Sequence, residues 1–336
     1  FRANRGLLGS WIGQAEAALG RYRQWQQLSF EDWGFGGGVA LPCDSIAFAH
    51  HLYIAEGFLQ QTDIGIERLE TDMEAWRIAL AQAKTLEIKV LAIEAVRDNV
   101  SVASGLLASS DLDAKQVGRL SHLLRPLNQA ELSIRWPMHS ELAWAAASYE
   151  AQLKAEVGEA RSSYASVASW FPLPKQRRLN IYAAYYDASF KAANEGRHRH
   201  LPRRSDFLRS PAETVKDALI NPIENMIGLA PLPAWDEYNG LVLDAEAHLR
   251  LAGLQAWIRR GEQQSDLFAR LAKAGQGFYD PYTGLPMLVN EKKGVLYSVG
   301  RDGKDQDGDP STDVVVAIPA ARPLASTKSS SSSKLD

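Results

Sequence analysis

The sequence is poor in the features that usually reveal a compartment or a chemistry. Its 336 residues include a single cysteine, Cys43, which excludes an intrachain disulfide and any cysteine-rich zinc site. No apolar run approaches the roughly 18 residues that a membrane-spanning helix needs. The net charge of −3 gives no excess of basic residues of the kind that marks nucleic-acid-binding proteins. What remains is an ordinary globular composition, with 46% hydrophobic and 23% charged residues.

The first residues, Phe1-Arg2-Ala3-Asn4-Arg5, include no initiator methionine. No basic segment leads from them into an apolar stretch with a small-residue cleavage site. We therefore expect an envelope protein whose leader or membrane anchor lies upstream of Phe1. A trimmed cytosolic chain is the alternative.

Apolar residues recur at helical spacing over most of the chain up to Lys273. In 66–83 they follow one another at steps of three and four residues, which places them on one face of a helix. The sequence therefore predicts a mainly α fold, an irregular multi-helix bundle or array. The same patterning predicts helices around 48–59 and 86–107 and over about 5–27, 112–124, 129–157, 176–195 and 233–260.

The predicted helix 233–260 carries two apolar stripes on roughly opposite faces. A helix that is apolar on two sides is expected between two layers of structure. One stripe consists of Leu241, Ala245, Leu249, Ala252 and Ala256, and the other of Leu243, Ala247, Leu251, Leu254 and Ile258.

Prolines at 231 and 233 mark the preferred internal boundary, although both sides of it could share one core. We predict a helical domain over 1–230, then a unit over 231–319 with the long helix and a small β element. Residues 320–336 contain five consecutive serines and read as a flexible tail.

The C-terminal segment changes character after Lys273. Short apolar runs at 287–289, 295–299 and 314–318 predict strands. Between the last two runs lies a loop rich in aspartate and glycine, and such closely spaced oxygen ligands suit calcium. An acidic, solvated hairpin loop without a metal is the alternative. The candidate ligands are Asp302, Asp305, Asp307, Asp309 and Asp313.

This segment resembles a known family in the order of its motifs. The first motif is Asp280-Pro281-Tyr282-Thr283-Gly284-Leu285-Pro286. The second motif covers residues 296–304, with the sequence LYSVGRDGK, and leads into a loop that closes on Asp313-Val314-Val315. Over about 278–318 it resembles the C-terminal segment of the major pseudopilins of type II secretion. The resemblance implies a small antiparallel sheet packed on a long helix, with a calcium ion in the loop. Asp302 and Asp313 match the family's loop-opening and loop-closing aspartates.

The rest of the chain departs from that family, because it lacks the apolar N-terminal helix with an early glutamate. As a whole, the chain loosely resembles uncharacterised membrane-anchored bacterial proteins that have a helical body and an ending of this kind. This wider likeness implies a location in the bacterial periplasm, with an anchor in the inner membrane, but it names no activity.

Two other groups of residues could carry a function. His50-His51 lies on a predicted helix, but neither a HExxH motif nor a pair of ligands four residues apart is present, which favours a half-buried histidine beside Tyr53. The densest basic stretch could bind anionic lipid or an acidic partner protein, or could be a solvated loop. Nucleic acid is not expected there. Its central residues are Arg197, Arg199, Arg203 and Arg204.

Taken together, these patterns predict a non-catalytic binding or scaffold domain with a protein partner, such as a toxin or a secretion component. The alternative is a hydrolase that acts on an envelope substrate with carboxylates and histidines from separate helices. A deep pocket with at least two converging titratable groups would distinguish the two, and its absence would favour the binding domain.

Overall fold

The computed structural model describes residues 4–34, 42–109, 111–163, 175–194, 202, 234–261 and 267–319. Within these residues the fold is mainly helical with one small antiparallel sheet, as the sequence predicts. Three features of the prediction lie outside these residues. They are the boundary at 231–233, the serine-rich tail and the central residues of the basic stretch, Arg197, Arg199, Arg203 and Arg204. The helices are α1 Arg5–Gln14, α2 Glu16–Trp25, α3 Cys43–Gln60, α4 Thr62–Gln82, α5 Leu86–Ala108, α6 Ala114–Leu123, α7 Gln129–Leu132, α8 Arg135–Ser163, α9 Lys175–Asn194, α10 Trp235–Arg260 and α11 Leu267–Leu271.

Two predicted helices are each divided in the structure. The pattern over 5–27 predicts one helix, but Ala15 leaves helical geometry at φ −97° and ψ 10° and separates α1 from α2. The pattern over 129–157 is divided at Ser133, which is nearly extended at ψ 130°. The short α7 before it begins at a capping box formed by Asn128 and Glu131. Apolar spacing alone does not register such breaks, because each interrupts helical geometry at a single residue or a few residues.

Helices α3, α4 and α5 form the centre of the helical body. The predicted stripe on α4 is buried throughout, from Ile66 at 0% exposure to Trp76 at 3%. The side chain of Thr85 caps α5 by accepting a hydrogen bond from the Ile88 amide at 3.3 Å. No helix among the described residues is long and apolar enough to cross a membrane.

Helix α10 lies between two hydrophobic cores, which confirms the reading of its two stripes. Ala245, Leu249, Ala252 and Ala256 pack in the core of the helical body. On the other face, Leu243, Ala247, Leu251 and Leu254 pack in a second core with the C-terminal segment. The helical body and the C-terminal segment therefore meet on one helix.

The three predicted strands form an antiparallel sheet in the order β1-β2-β3. The strands are β1 Leu288–Asn290, β2 Val295–Ser298 and β3 Val314–Ala317. Leu296 pairs with Val316 and turns towards the second core, where both side chains are buried. The amide of Gln255 on α10 donates to the carbonyl of Ala317 at 2.7 Å, which ties the sheet edge to the helix.

Candidate functional site

A clamp of polar side chains holds the C-terminal segment on α10. The carboxylate of Asp244 accepts hydrogen bonds from the Arg301 guanidinium, at 2.6 and 2.9 Å, and from the Tyr282 hydroxyl. Gly240 lets this arginine lie close to the helix, since a Cβ there would be 2.9 Å from the Arg301 Nε atom. Burial, together with the charge of Asp244, raises the pKa of Tyr282 well above its usual range, so the phenol stays a hydrogen-bond donor.

The turn that carries the pseudopilin-like motif is organised by one buried carboxylate. Asp280 is 2% exposed and accepts from the amide of Tyr282 at 2.7 Å and from that of Val299 at 3.2 Å. The Asp280 carbonyl accepts from the amide of Gly284 at 2.7 Å. Asp280 therefore joins the turn to the end of β2 and has a structural part in the motif.

The aspartate loop between β2 and β3 surrounds one buried carboxylate. Asp313 is 5% exposed, and its Oδ2 atom accepts from the amides of Gly308 and Asp309 at 2.9 and 3.1 Å. Its Oδ1 atom is buried and has no hydrogen-bond partner. Burial raises the pKa of Asp313, and the charges of Asp305 and Asp302 add to that effect. Such an oxygen is a good potential ligand for a cation.

The other candidate ligands are separated by their own hydrogen bonds. Asp302 accepts from the amide of Lys304, and Asp305 accepts from the Tyr297 hydroxyl at 3.0 Å. The carboxylate of Asp309 accepts from both polar groups of Ser311, while Asp307 is exposed and lies 3.9 Å from the Lys293 ammonium. In the described part of the chain, no three of these carboxylates bring oxygens within 4.8 Å of one another. Calcium binding by this loop therefore stays a prediction.

A cavity of about 560 Å³ lies beside this loop, where the helical body meets the C-terminal segment. Its charged lining comes from α5, α10 and the loop. Burial and the charge of Arg97 lower the pKa of His248, so its imidazole is neutral at pH 7. We call this space the junction cavity. Its lining residues include Arg97, Asp244, His248, Arg301, Asp302 and Asp313.

A second group of polar side chains lies among α2, α3, α4 and α5. His50 is 1% exposed and contacts the buried carboxylate of Asp72, with 2.9 Å between Nδ1 and Oδ2. Beside it, the His51 Nε2 atom lies 2.7 Å from Asp98 Oδ2. The hydrogen bond to Asp98 raises the pKa of His51. We call His50, His51 and Asp98 the histidine cluster.

Sequence reasoning missed the histidine cluster because its carboxylate comes from another helix. Asp98 follows His51 by 47 residues and meets it through the packing of α3 against α5. The prediction of a half-buried histidine is wrong, since His50 is 1% exposed and His51 is exposed. The His50 ring lies edge-on to Trp76, with 6.1 Å between the ring centroids. No motif spacing along the chain signals this arrangement.

Comparison of the chain with protein-family models, with curated proteins and with solved structures gives no match.

Proposed function

We propose that the chain is a non-catalytic binding domain that faces the bacterial periplasm and captures a protein partner at the junction cavity. The observation that carries this proposal is the lining of the cavity by charges of both signs from two parts of the molecule. Its volume of about 560 Å³ lies within the range of roughly 300–1,000 Å³ that is usual for ligand sites. A cavity of this size accommodates a few side chains of a partner segment.

The chemistry of the lining favours binding over hydrolysis. Arg301 and Asp244 neutralise each other in the clamp, and His248 is neutral near pH 7. The hydroxyls of Ser311 and Thr312 donate to Asp309 of their own loop, so neither is directed at a base. A nucleophilic side chain activated by an adjacent base, as in hydrolases that form a covalent intermediate, is missing from the described lining. The cavity does bring titratable groups together, as the hydrolase alternative expects, but the pairing of Asp244 with Arg301 and the lack of an activated nucleophile favour binding.

The aspartate loop adds a second part to the proposal, a calcium ion that stabilises the C-terminal segment. The buried, unpartnered Asp313 oxygen fits a cation, and Asp305 and Asp302 act electrostatically on the same carboxylate. Asp302, Asp305 and Asp313 would hold the ion, which would relieve the repulsion among the three carboxylates. Asp307 and Asp309 are directed to solvent or to Ser311 and would take no part.

Site-specific cross-linking in cells tests the proposed partner surface. A photo-reactive residue in place of Thr312, which is exposed and lines the cavity, is expected to yield an adduct with one protein. The matched control is the same residue in place of Lys115, which is exposed on α6. The natural gene, with its own start, should be used so that location is preserved, and Arg97→Ala should reduce the Thr312 adduct several-fold.

Three results would contradict the proposal. Identical adducts from positions 312 and 115 would show non-specific proximity, and no adduct at 312 would remove the partner surface. Recovery of the chain in the cytosolic fraction would contradict the periplasmic location.

A further inference from the structure

The histidine cluster is built around a buried imidazole whose tautomer follows from its neighbours. The Tyr22 hydroxyl donates to Asp72 Oδ1 at 2.6 Å and accepts from the Trp76 indole at 2.7 Å. Its one proton is therefore used, and it has none to offer the His50 Nδ1 atom at 3.4 Å. Asp72 also accepts from Gln26 at 3.0 Å and from Asn99 at 2.8 Å. The Nδ1 atom of His50 lies 2.9 Å from Asp72 Oδ2, and the tautomer with its proton on Nδ1 is the one that makes this contact attractive.

This assignment leaves the other nitrogen of His50 with a free lone pair. The Nε2 atom is buried and has no hydrogen-bond partner. It is directed towards Asp98, whose Oδ2 atom lies 3.9 Å away, beyond hydrogen-bond distance. A lone pair that faces a carboxylate is repulsive, and a buried acceptor without a donor is unfavourable. A cation between these atoms removes both penalties.

The remaining ligand is already next to Asp98. The His51 Nε2 atom is 2.7 Å from the same Oδ2 atom, and the three ligand atoms all lie within 4.8 Å of one another. Four-coordinate zinc with bonds of about 2.0–2.1 Å places its ligand atoms about 3.3 Å apart. The side chains of His51 and Asp98 are 56% and 44% exposed, so small rotations can bring them to that spacing.

We propose that His50 Nε2, His51 Nε2 and an Asp98 oxygen bind a divalent transition-metal ion of the zinc class, with Asp72 as the carboxylate that orients His50. Imidazole with carboxylate is a ligand set of this class, and calcium and magnesium prefer all-oxygen sites. A buried carboxylate on the far nitrogen of a histidine ligand is a recurring feature of zinc sites. The three protein ligands leave one position open on the solvent side for water or a partner group.

This inference does not depend on the proposed partner surface or on calcium. Its residues belong to α3, α4 and α5, and none of the three ligands lines the junction cavity. The loss of either proposal leaves the other intact.

Metal titration of the purified, untagged chain tests the site. Competition with a chromophoric chelator should give one tight Zn²⁺ site, and Co²⁺ should give the visible ligand-field absorption of a four-coordinate ion. His51→Ala and Asp98→Asn change exposed side chains and should fold normally, as circular dichroism will show. Each should weaken Zn²⁺ binding by at least about 100-fold, and Asp72→Asn by about 10–100-fold, the range for residues that orient a ligand.

Two controls separate this site from adventitious binding. His122→Ala removes an exposed histidine of α6 and should leave the affinity unchanged. The double variant His198→Ala, His200→Ala removes the histidines of the basic stretch and should also leave it unchanged. The proposal is overturned if no Zn²⁺ binds, if His51→Ala and Asp98→Asn bind like the parent chain, or if only the double variant loses the metal.

Discussion

Lys89 on α5 places an amine at a buried position where an apolar side chain would be expected. It is 1% exposed, and its ammonium donates to the carbonyls of Leu80 and Glu131, both at 2.8 Å. Burial lowers the pKa of Lys89 to about 7, although the charge of Glu131 opposes the shift. A neutral amine still has two N–H groups, so both carbonyls stay satisfied when the proton leaves. The residue therefore acts as a hydrogen-bond donor that closes α4 and α7 against α5.

The depressed pKa of Lys89 makes the stability of the protein depend on pH. Between pH 7 and 10 the unfolded chain binds a proton at Lys89 that the folded protein does not, because the unfolded pKa is near 10.5. The free energy of unfolding contributed by this residue therefore rises with pH over that window and is constant below it. We expect urea denaturation to show the difference between the parent and Lys89→Met increasing by up to about 4 kcal/mol.

Lys84→Met is the matched control, since Lys84 is exposed five positions earlier. Its difference from the parent should not change with pH. A difference for Lys89→Met that is equally flat would mean that Lys89 stays charged in the folded protein.

At the scale of elements, the sequence predicts what depends on periodicity and misses what depends on packing. The two stripes of α10 and the three strands agree with the structure because burial follows spacing along one element. The breaks at Ala15 and Ser133 were missed because the prediction rested on apolar spacing alone and did not use Gly13 or Pro137, which lie close to them. Asp98 could not be placed beside His51 because their meeting depends on how α3 and α5 pack. The aspartate loop was visible as a cluster, but the sequence could not show that Asp313 alone is buried.

The clamp on Asp244 gives an element-scale prediction. Asp244→Asn keeps the shape of the side chain but removes the charge that holds Arg301, and charged hydrogen bonds contribute roughly 1.5–3 kcal/mol each. Because the Arg301 side chain is 44% exposed, solvent screening reduces the expected loss to about 1–2 kcal/mol. Hydrogen exchange should show faster exchange of amides in β2 and β3, with less change in α4.

The corresponding control is Asp187→Asn, which breaks an exposed pair with Lys191 on α9. That change should alter stability by less than about 0.5 kcal/mol. Unchanged exchange in the sheet of Asp244→Asn would show that apolar packing on α10 is enough to hold it.

At the scale of the whole molecule, α10 makes the helical body and the C-terminal segment depend on each other. Its two faces belong to the two cores, so the loss of either core leaves apolar side chains of this helix without partners. Glu246 on the same helix accepts from the amide of Leu127 at 2.6 Å and from Arg250, also at 2.6 Å. We therefore expect one cooperative unfolding transition for both parts, seen alike by tryptophan fluorescence and by circular dichroism.

This coupling sharpens the calcium prediction, because an ion bound in the loop should stabilise the entire described fold. An ion that binds only the folded state adds about 2.7 kcal/mol at a hundredfold excess over its dissociation constant. Calcium should therefore raise the Tm by several degrees relative to chelator, with both spectroscopic probes moving together.

Asp302→Asn, an exposed position, should abolish the shift, while Asp309→Asn should keep it because Ser311 already occupies that carboxylate. No Tm shift in the parent chain, or an equal shift in Asp302→Asn, would contradict calcium binding by the loop. A Tm shift seen by only one probe would show that the two cores unfold separately.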